Sequence, residues 1–205
     1  MSPDHPRLLL ATGNAGKLIE LRRLLSSADV DVVAPDDVGL GGFEVDEDGV
    51  TFLANAQKKA REYAAAASLP TLADDSGITV SAVRGRPGVQ SARYGGDGIS
   101  SGERNRLLLA EMDGQADRSA AYVCVIALVR PGGPAEKIFL GRCEGRVARE
   151  PRGDGGFGYD PIFLLPDGRS MAELPDAEKD AVSHRGRAVA EMLAQLDLPR
   201  WAAGG

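Results

Sequence analysis

Between Thr71 and Val80 the chain sets two adjacent carboxylates, Asp74 and Asp75, directly after an apolar run. Ser76 and Gly77 follow, and a second strand-like run, Ile78-Thr79-Val80, resumes. No other stretch constrains the fold as much, because carboxylates resist burial unless they are paired or bind a metal. Two acids at a strand end imply a place that gathers positive charge. The simplest candidate is Mg2+, which takes carboxylate oxygens and keeps positions for water and substrate phosphates. Taken alone, the same residues read as a turn, since Asp, Ser and Gly are common turn formers. Successive strand residues point to opposite faces, so one acid is expected to face the metal while the other supports the turn.

The segments before it supply an anion-ready loop. Leu8 to Ala11 reads as a buried strand, Thr12-Gly13-Asn14-Ala15-Gly16-Lys17 as a tight loop, and Leu18, Leu21, Leu24 and Leu25 recur at helical spacing. Strand, glycine loop and helix together aim backbone N–H groups and a helix N-terminus at an anion. Lys17 adds a point charge there. A cation at a helix start is unfavourable without an anion, so loss of Lys17 is expected to weaken phosphate binding and leave stability almost unchanged. The loop is not a Walker A loop, because the positions that would need Gly and Ser or Thr hold Ala11 and Leu18.

Val30 to Ala34 reads as a second short strand, and Glu44 to Gly49 as an acidic, solvated run. Thr51 caps a helix with Phe52, Ala56, Ala60, Tyr63, Ala64 and Ala67 on one face and Asn55, Lys58, Lys59 and Glu62 elsewhere on its surface. Ser100 and Glu103 form a capping-box signature for a helix through Leu107, Leu108 and Met112. Ala120 to Val129 is apolar on both alternating faces and reads as a central strand. The turn Pro131-Gly132-Gly133-Pro134 returns the chain as a hairpin partner over Lys137 to Val147. The loop from Arg152 to Pro161 is too glycine-rich to supply much core. It lets backbone approach a ligand and offers Phe157 or Tyr159 as a flat apolar surface. Ile162-Phe163-Leu164 is a last strand. Ser183-His184-Arg185 opens a C-terminal helix with Ala188, Val189, Met192, Leu193 and Leu196 on one face, and the tail from Trp201 is expected to fray.

Composition narrows the class. With 205 residues, 43% of them hydrophobic, one domain over residues 1–205 with two lobes has ample core. The formal net charge of -6 opposes bulk binding to nucleic acid, which needs a basic face, while leaving room for a local basic pocket. Cys124 and Cys143 lack metal-site spacing and are expected as buried thiols. Two histidines, His5 and His184, make a histidine-based zinc site a poor fit. No stretch approaches membrane-spanning length or a signal-peptide pattern, so no membrane partner and a cytoplasmic location are expected.

A lysine-bearing anion loop, a carboxylate pair, and a glycine-aromatic loop followed by Lys179, His184 and Arg185 suit phosphates, a metal and a flat base. The sequence resembles the Ham1 (RdgB/inosine triphosphatase) family of purine nucleoside triphosphate pyrophosphatases. The matching segments are Ala11 to Lys17, Thr51-Phe52 with Asn55-Ala56 and Lys59-Ala60, Ala73 to Gly77, and Pro87-Gly88-Val89 with Ser91 to Tyr94. Gly155 to Phe163, and Ala172-Glu173-Leu174 with Glu178-Lys179 and Ser183-His184-Arg185, complete the set in family order.

The resemblance implies an α/β fold whose long mixed β-sheet, flanked by helices, divides two lobes with the nucleotide in a central cleft. It implies a homodimer and Mg2+-dependent cleavage of dITP, ITP and XTP to the monophosphate and pyrophosphate. Carried over by position, Thr12, Gly13, Asn14, Ala15, Gly16 and Lys17 hold the triphosphate. Asp75 is the metal-linked base that activates water, and Ser76 contacts substrate. Phe157, Gly158, Tyr159, Asp160, Lys179, His184 and Arg185 match substrate-binding positions. Asp46 and Glu47 stand where the family has two adjacent glutamates, one of them a metal ligand.

The rival readings are a Maf-like pyrophosphatase, whose opening loop differs from Thr12 to Lys17, and a nucleotide sensor without turnover, which would not need a water-activating acid. For the base, a purine C6 oxygen asks for donors, and the Arg185 guanidinium and the N–H groups of Gly155 to Tyr159 are the candidates. The expected order of hydrolysis is ITP or XTP, then GTP, with ATP far behind.

Overall fold

The computed structural model describes residues 5–133 and 136–204. Its six strands are β1 (Arg7–Leu10), β2 (Asp31–Val33), β3 (Thr71–Val80), β4 (Ser119–Val129), β5 (Lys137–Val147) and β6 (Phe163–Leu164). They form one sheet in the order β2-β1-β3-β4-β5-β6. β1 runs parallel to β2 and β3, while β5 and β6 are antiparallel, so the sheet is mixed. Among the described residues six α-helices accompany it: α1 (Ala15–Leu24), α2 (Phe52–Ala67), α3 (Ser101–Glu111), α4 (Asp176–Val182), α5 (His184–Gln195) and α6 (Leu198–Ala202). The α/β class follows directly.

Local chemistry explains most of the boundaries. Thr51 accepts the Ala54 N–H and starts α2, and Ser100 and Glu103 close a reciprocal capping box on α3. The continuous apolar run of β4 is buried almost throughout, as a strand covered on both faces must be. β5 matches its expected span and lies beside β4 in the sheet; of the expected turn, Pro134 falls outside the described residues. Cys124 and Cys143 are buried free thiols.

Two expectations change. The sequence suggests a turn at Asp74 to Gly77, yet β3 runs unbroken through all of them. Both acids have bonding partners, described below, so the strand keeps its backbone ladder without expelling them. The tail is also ordered: Asp197 caps α6, and Trp201 is buried with the Arg130 guanidinium 5.7 Å from its ring centroid. An Asp cap with Pro in the first turn is a helix start, which outweighs the proximity of the terminus.

The chain packs as two compact units. The first comprises Met1–Asp75, Val125–Gly141 and Arg187–Gly205. Its core includes Leu9, Ala11, Val33, Ala56, Ala60, Tyr63, Ala73, Val125 and Ala127, an alanine-rich set that lets α2 approach its neighbours closely. The second comprises Ser76–Cys124 and Arg142–Gly186. Its core includes Ile78, Leu108, Met112, Tyr122, Tyr159 and Phe163. Each large side chain buried there contributes about 1.5–3 kcal/mol relative to exposure. The boundary cuts β3 between Asp75 and Ser76.

Candidate active site

The first unit carries an acid-rich cluster. Asp74 is buried on β3 and its Oδ2 lies 3.1 Å from Lys17 Nζ, a lysine in the first turn of α1. Asp75, also buried, accepts a 3.0 Å hydrogen bond from Asn55 Nδ2 on α2. Burial pushes the Asp75 carboxyl above its ordinary value; Lys17, Lys59 and the Asn55 bond pull it back, and Glu47 adds to the rise. One turn along α2 from Asn55, Lys59 is buried and pairs with Glu47 Oε1 at 3.0 Å. Burial alone would lower the Lys59 ammonium, but Asp74, Glu47 and Asp75 outweigh it and hold it above its ordinary value.

Asn55 and Lys59 are corrections to the sequence reading, which left both on the helix surface. The acidic run covers that side of α2: Asn55 Oδ1 accepts the Gly49 N–H, and the Tyr63 hydroxyl donates to Phe43 O. The missed signal is spacing. Asn55 and Lys59 follow the same one-turn step as the buried Ala56 and Ala60, in a chain whose paired acids need positive partners.

The loop before α1 is shorter than expected, since Ala15, Gly16 and Lys17 already belong to the helix. Thr12 Oγ1 accepts the Asn14 N–H, and Asn14 Oδ1 accepts the Lys17 N–H, fixing the helix start. Lys17 is not an idle cation. It is tied to a buried carboxylate, so the expectation that its loss leaves stability unchanged is withdrawn.

The second unit carries an aromatic and cationic cluster. Asp160 accepts three hydrogen bonds: Tyr122 OH at 3.0 Å, the Phe157 N–H at 2.9 Å and Lys179 Nζ at 2.6 Å. The Phe157 ring has Lys179 Nζ 5.0 Å and Arg185 Cζ 5.7 Å from its centroid. Arg185, buried at the start of α5, donates to Ser76 Oγ at 2.9 Å. His184 stacks on Tyr122, centroids 4.5 Å apart and rings nearly parallel. Gly156 has φ +68, and a Cβ there would meet Asp160 Oδ2 at 2.1 Å, so the carboxylate can sit against the loop only because this residue is glycine.

This geometry sorts the expected residues. Phe157 is half-buried and can present a face, whereas Tyr159 is buried in the core with its hydroxyl donating to Ser91 O. The loop therefore contributes to the core after all, through Tyr159. Asp160 holds Phe157 and Lys179 in place. Among the loop's donors, the Gly155 and Phe157 N–H groups are already bonded, to Ala172 O and Asp160. Arg185 and the N–H groups of Gly156, Gly158 and Tyr159 remain the candidates. Asn105, absent from the sequence reading, is buried on α3 and donates to Gly158 O at 3.1 Å.

Among the described residues, no three His, Cys, Asp or Glu side chains come together as a metal-holding group. Asp46, Glu47 and Asp75 thus do not form a three-acid cage. Asp46 is exposed and its charge is felt at Lys58, whereas that of Glu47 is felt at Asp75. The donor set of Asp75 and Glu47 is all oxygen and anionic, which fits a hard divalent cation completed by phosphate oxygens and water.

Comparison with known proteins shows the family. The sequence model of the Ham1 family matches residues 8–195. A Symbiobacterium thermophilum protein named dITP/XTP pyrophosphatase is 50% identical over 195 residues, 94% of this chain and 96% of that one. A Nitrosomonas europaea protein of the same name is 47% identical over 192 residues, 93% of this chain and 94% of its own. The structure is similar to that of a HAM1 protein from Coxiella burnetii, with a TM-score of 0.84 and 41% identity over 93% of this chain and 100% of that one.

Proposed function

The chain belongs to the Ham1 family, and from that premise we propose that it hydrolyses dITP, ITP and XTP to the nucleoside monophosphate and pyrophosphate, clearing deaminated purines from the nucleotide pool. The observation that carries the reading is Asp75: a buried carboxylate, held by Asn55, within the field of Lys17, Lys59 and Glu47. Such a group is buried and oriented, the placement a general base needs.

In this reading Asp75 takes the proton of the attacking water. Lys17 and the unbonded N–H groups at the start of α1 bind phosphate oxygens. Asp75 and Glu47 would hold Mg2+, which neutralises phosphate charge and makes a bound water more acidic. For the base, Phe157 stacks on the purine. Arg185, oriented by Ser76, donates to an oxygen at C6, while an adenine amino group would meet donors. An unpaired buried polar group costs about 1–3 kcal/mol, so one mismatch gives roughly tenfold to a hundredfold rejection. The homodimer implied by the resemblance and the cytoplasmic location expected from the sequence belong to the same proposal, and sedimentation equilibrium tests the first. Among the described residues, no helix is long and apolar enough to cross a membrane.

The direct test is incubation with ITP and Mg2+. Inosine monophosphate and pyrophosphate in equal amounts are expected. Inosine diphosphate with orthophosphate would overturn the pyrophosphatase reading, and tight ITP binding without products would leave a sensor.

A further inference from the structure

The second unit contains a cavity of about 630 Å³ that the proposed reaction does not use. Four arginines line it, Arg118, Arg146, Arg149 and Arg152, against two acids, Asp117 and Glu150. That is an excess of positive charge in a chain of net charge -6.

The arginines differ in role. Arg118, half-buried, donates to the carbonyls of Met112, Val147 and Ala148, neutral acceptors that hold its guanidinium without neutralising it. Arg152 reaches Gly168 O and pairs with Glu173. Arg146 and Arg149 are exposed and, among the described residues, bonded to no carboxylate. Burial and then the Arg149 charge push the Arg118 guanidinium below its ordinary value, against a smaller opposing pull from Asp113. Like charges lining one concave site are relieved by an anion, and the planar guanidinium fork matches phosphate oxygens.

We infer that this cavity binds a linear polyphosphate through Arg118, Arg146 and Arg149, at a site separate from Asp75 and Lys17. Arg118 supplies a fixed floor, with N–H donors left over after its carbonyl bonds, and Arg146 and Arg149 close on the ligand. Free pyrophosphate and the polyphosphate tail of a nucleotide share this chemistry. An extended nucleic acid does not fit a single pocket with acids on its lining.

The test is titration calorimetry on metal-stripped protein, with inorganic pyrophosphate in one arm and ATP in the other, comparing wild type with R146A/R149A. With the cation that the Asp75 cluster needs absent, the wild type is expected to show one binding event for at least one of these ligands. In R146A/R149A that event should weaken about tenfold or more, the scale of losing charge-assisted bonds, while kcat/KM for ITP at low product is unchanged. The arm that loses its event identifies the ligand as the free anion or the nucleotide tail. R146K/R149K should recover part of the affinity, since it keeps charge without the fork. No event in either arm, or equal affinities and stoichiometries for wild type and R146A/R149A, would overturn the assignment.

Discussion

The two units bury charge in opposite proportions. The first sets Asp74, Asp75 and Glu47 against Lys17 and Lys59. The second sets Lys179 and Arg185 against Asp160, with an aromatic ring alongside. Neither is neutral, and the signs divide the labour. An excess of carboxylate accepts a triphosphate only with an added cation. An excess of cation around an aromatic face suits an uncharged ring bearing carbonyl oxygens. The difference also separates catalysis from stability. Asp75 is a group whose charge the fold disfavours, whereas Asp160, with three donors, is one whose charge the fold satisfies.

The largest expected effect tests that separation. Asp75→Asn should lower kcat for ITP by roughly two to four orders of magnitude, the scale of a lost general base. Because burial raises the Asp75 pKa in the folded state, its ionised form opposes folding above that pKa. Metal-free Asp75→Asn at neutral pH should therefore melt no lower than wild type. A clear fall in Tm, or near-normal turnover, would break the contrast. Lys179→Met should do the reverse and destabilise by about 3 kcal/mol or more, by leaving Asp160 buried without its cation. Urea unfolding measures it, and a loss under 1 kcal/mol would show that Tyr122 and the Phe157 amide suffice. Lys17→Met should be milder, about 1–2 kcal/mol, because Lys59 still faces Asp74; a loss equal to that of Lys179→Met would make the clusters equivalent. The smallest effect concerns specificity. Arg185→Lys keeps the charge but not the fork, and the preference for ITP over ATP should fall about tenfold. An unchanged ratio of kcat/KM values would remove Arg185 from base reading.

Much of this was legible in the sequence because it is written in short-range chemistry. The Thr51 cap, the Ser100–Glu103 box and the two-sided apolar run of β4 each depend on residues a few positions apart. What was not legible depends on distant segments. Asn55 and Lys59 became buried because the 43–49 run folds over α2. Asp74 and Asp75 stayed in a strand, rather than forcing a turn, because their partners come from α1 and α2. Asn105 sat inside a recognised helix, but nothing local announced that Gly158 would meet it. The α6 start differs, for its signals, Asp197 and Pro199, are local and the sequence reading did not use them.

The Lys17–Asp74 pair bears on how quickly the protein frees itself of what it has made. Its ammonium always has a second suitor, so a phosphate arriving at Lys17 gains only the difference between two anions. The lysine is also already held by Asp74, and little side-chain entropy is lost when the ligand comes. Entry and exit are both eased by such an exchange, and a leaving pyrophosphate meets a competitor for its lysine. Asp74→Asn should then bind pyrophosphate more tightly and suffer stronger product inhibition, with a slower release step in pre-steady-state traces. Unchanged inhibition would mean that Lys17 never lets go of Asp74 during turnover.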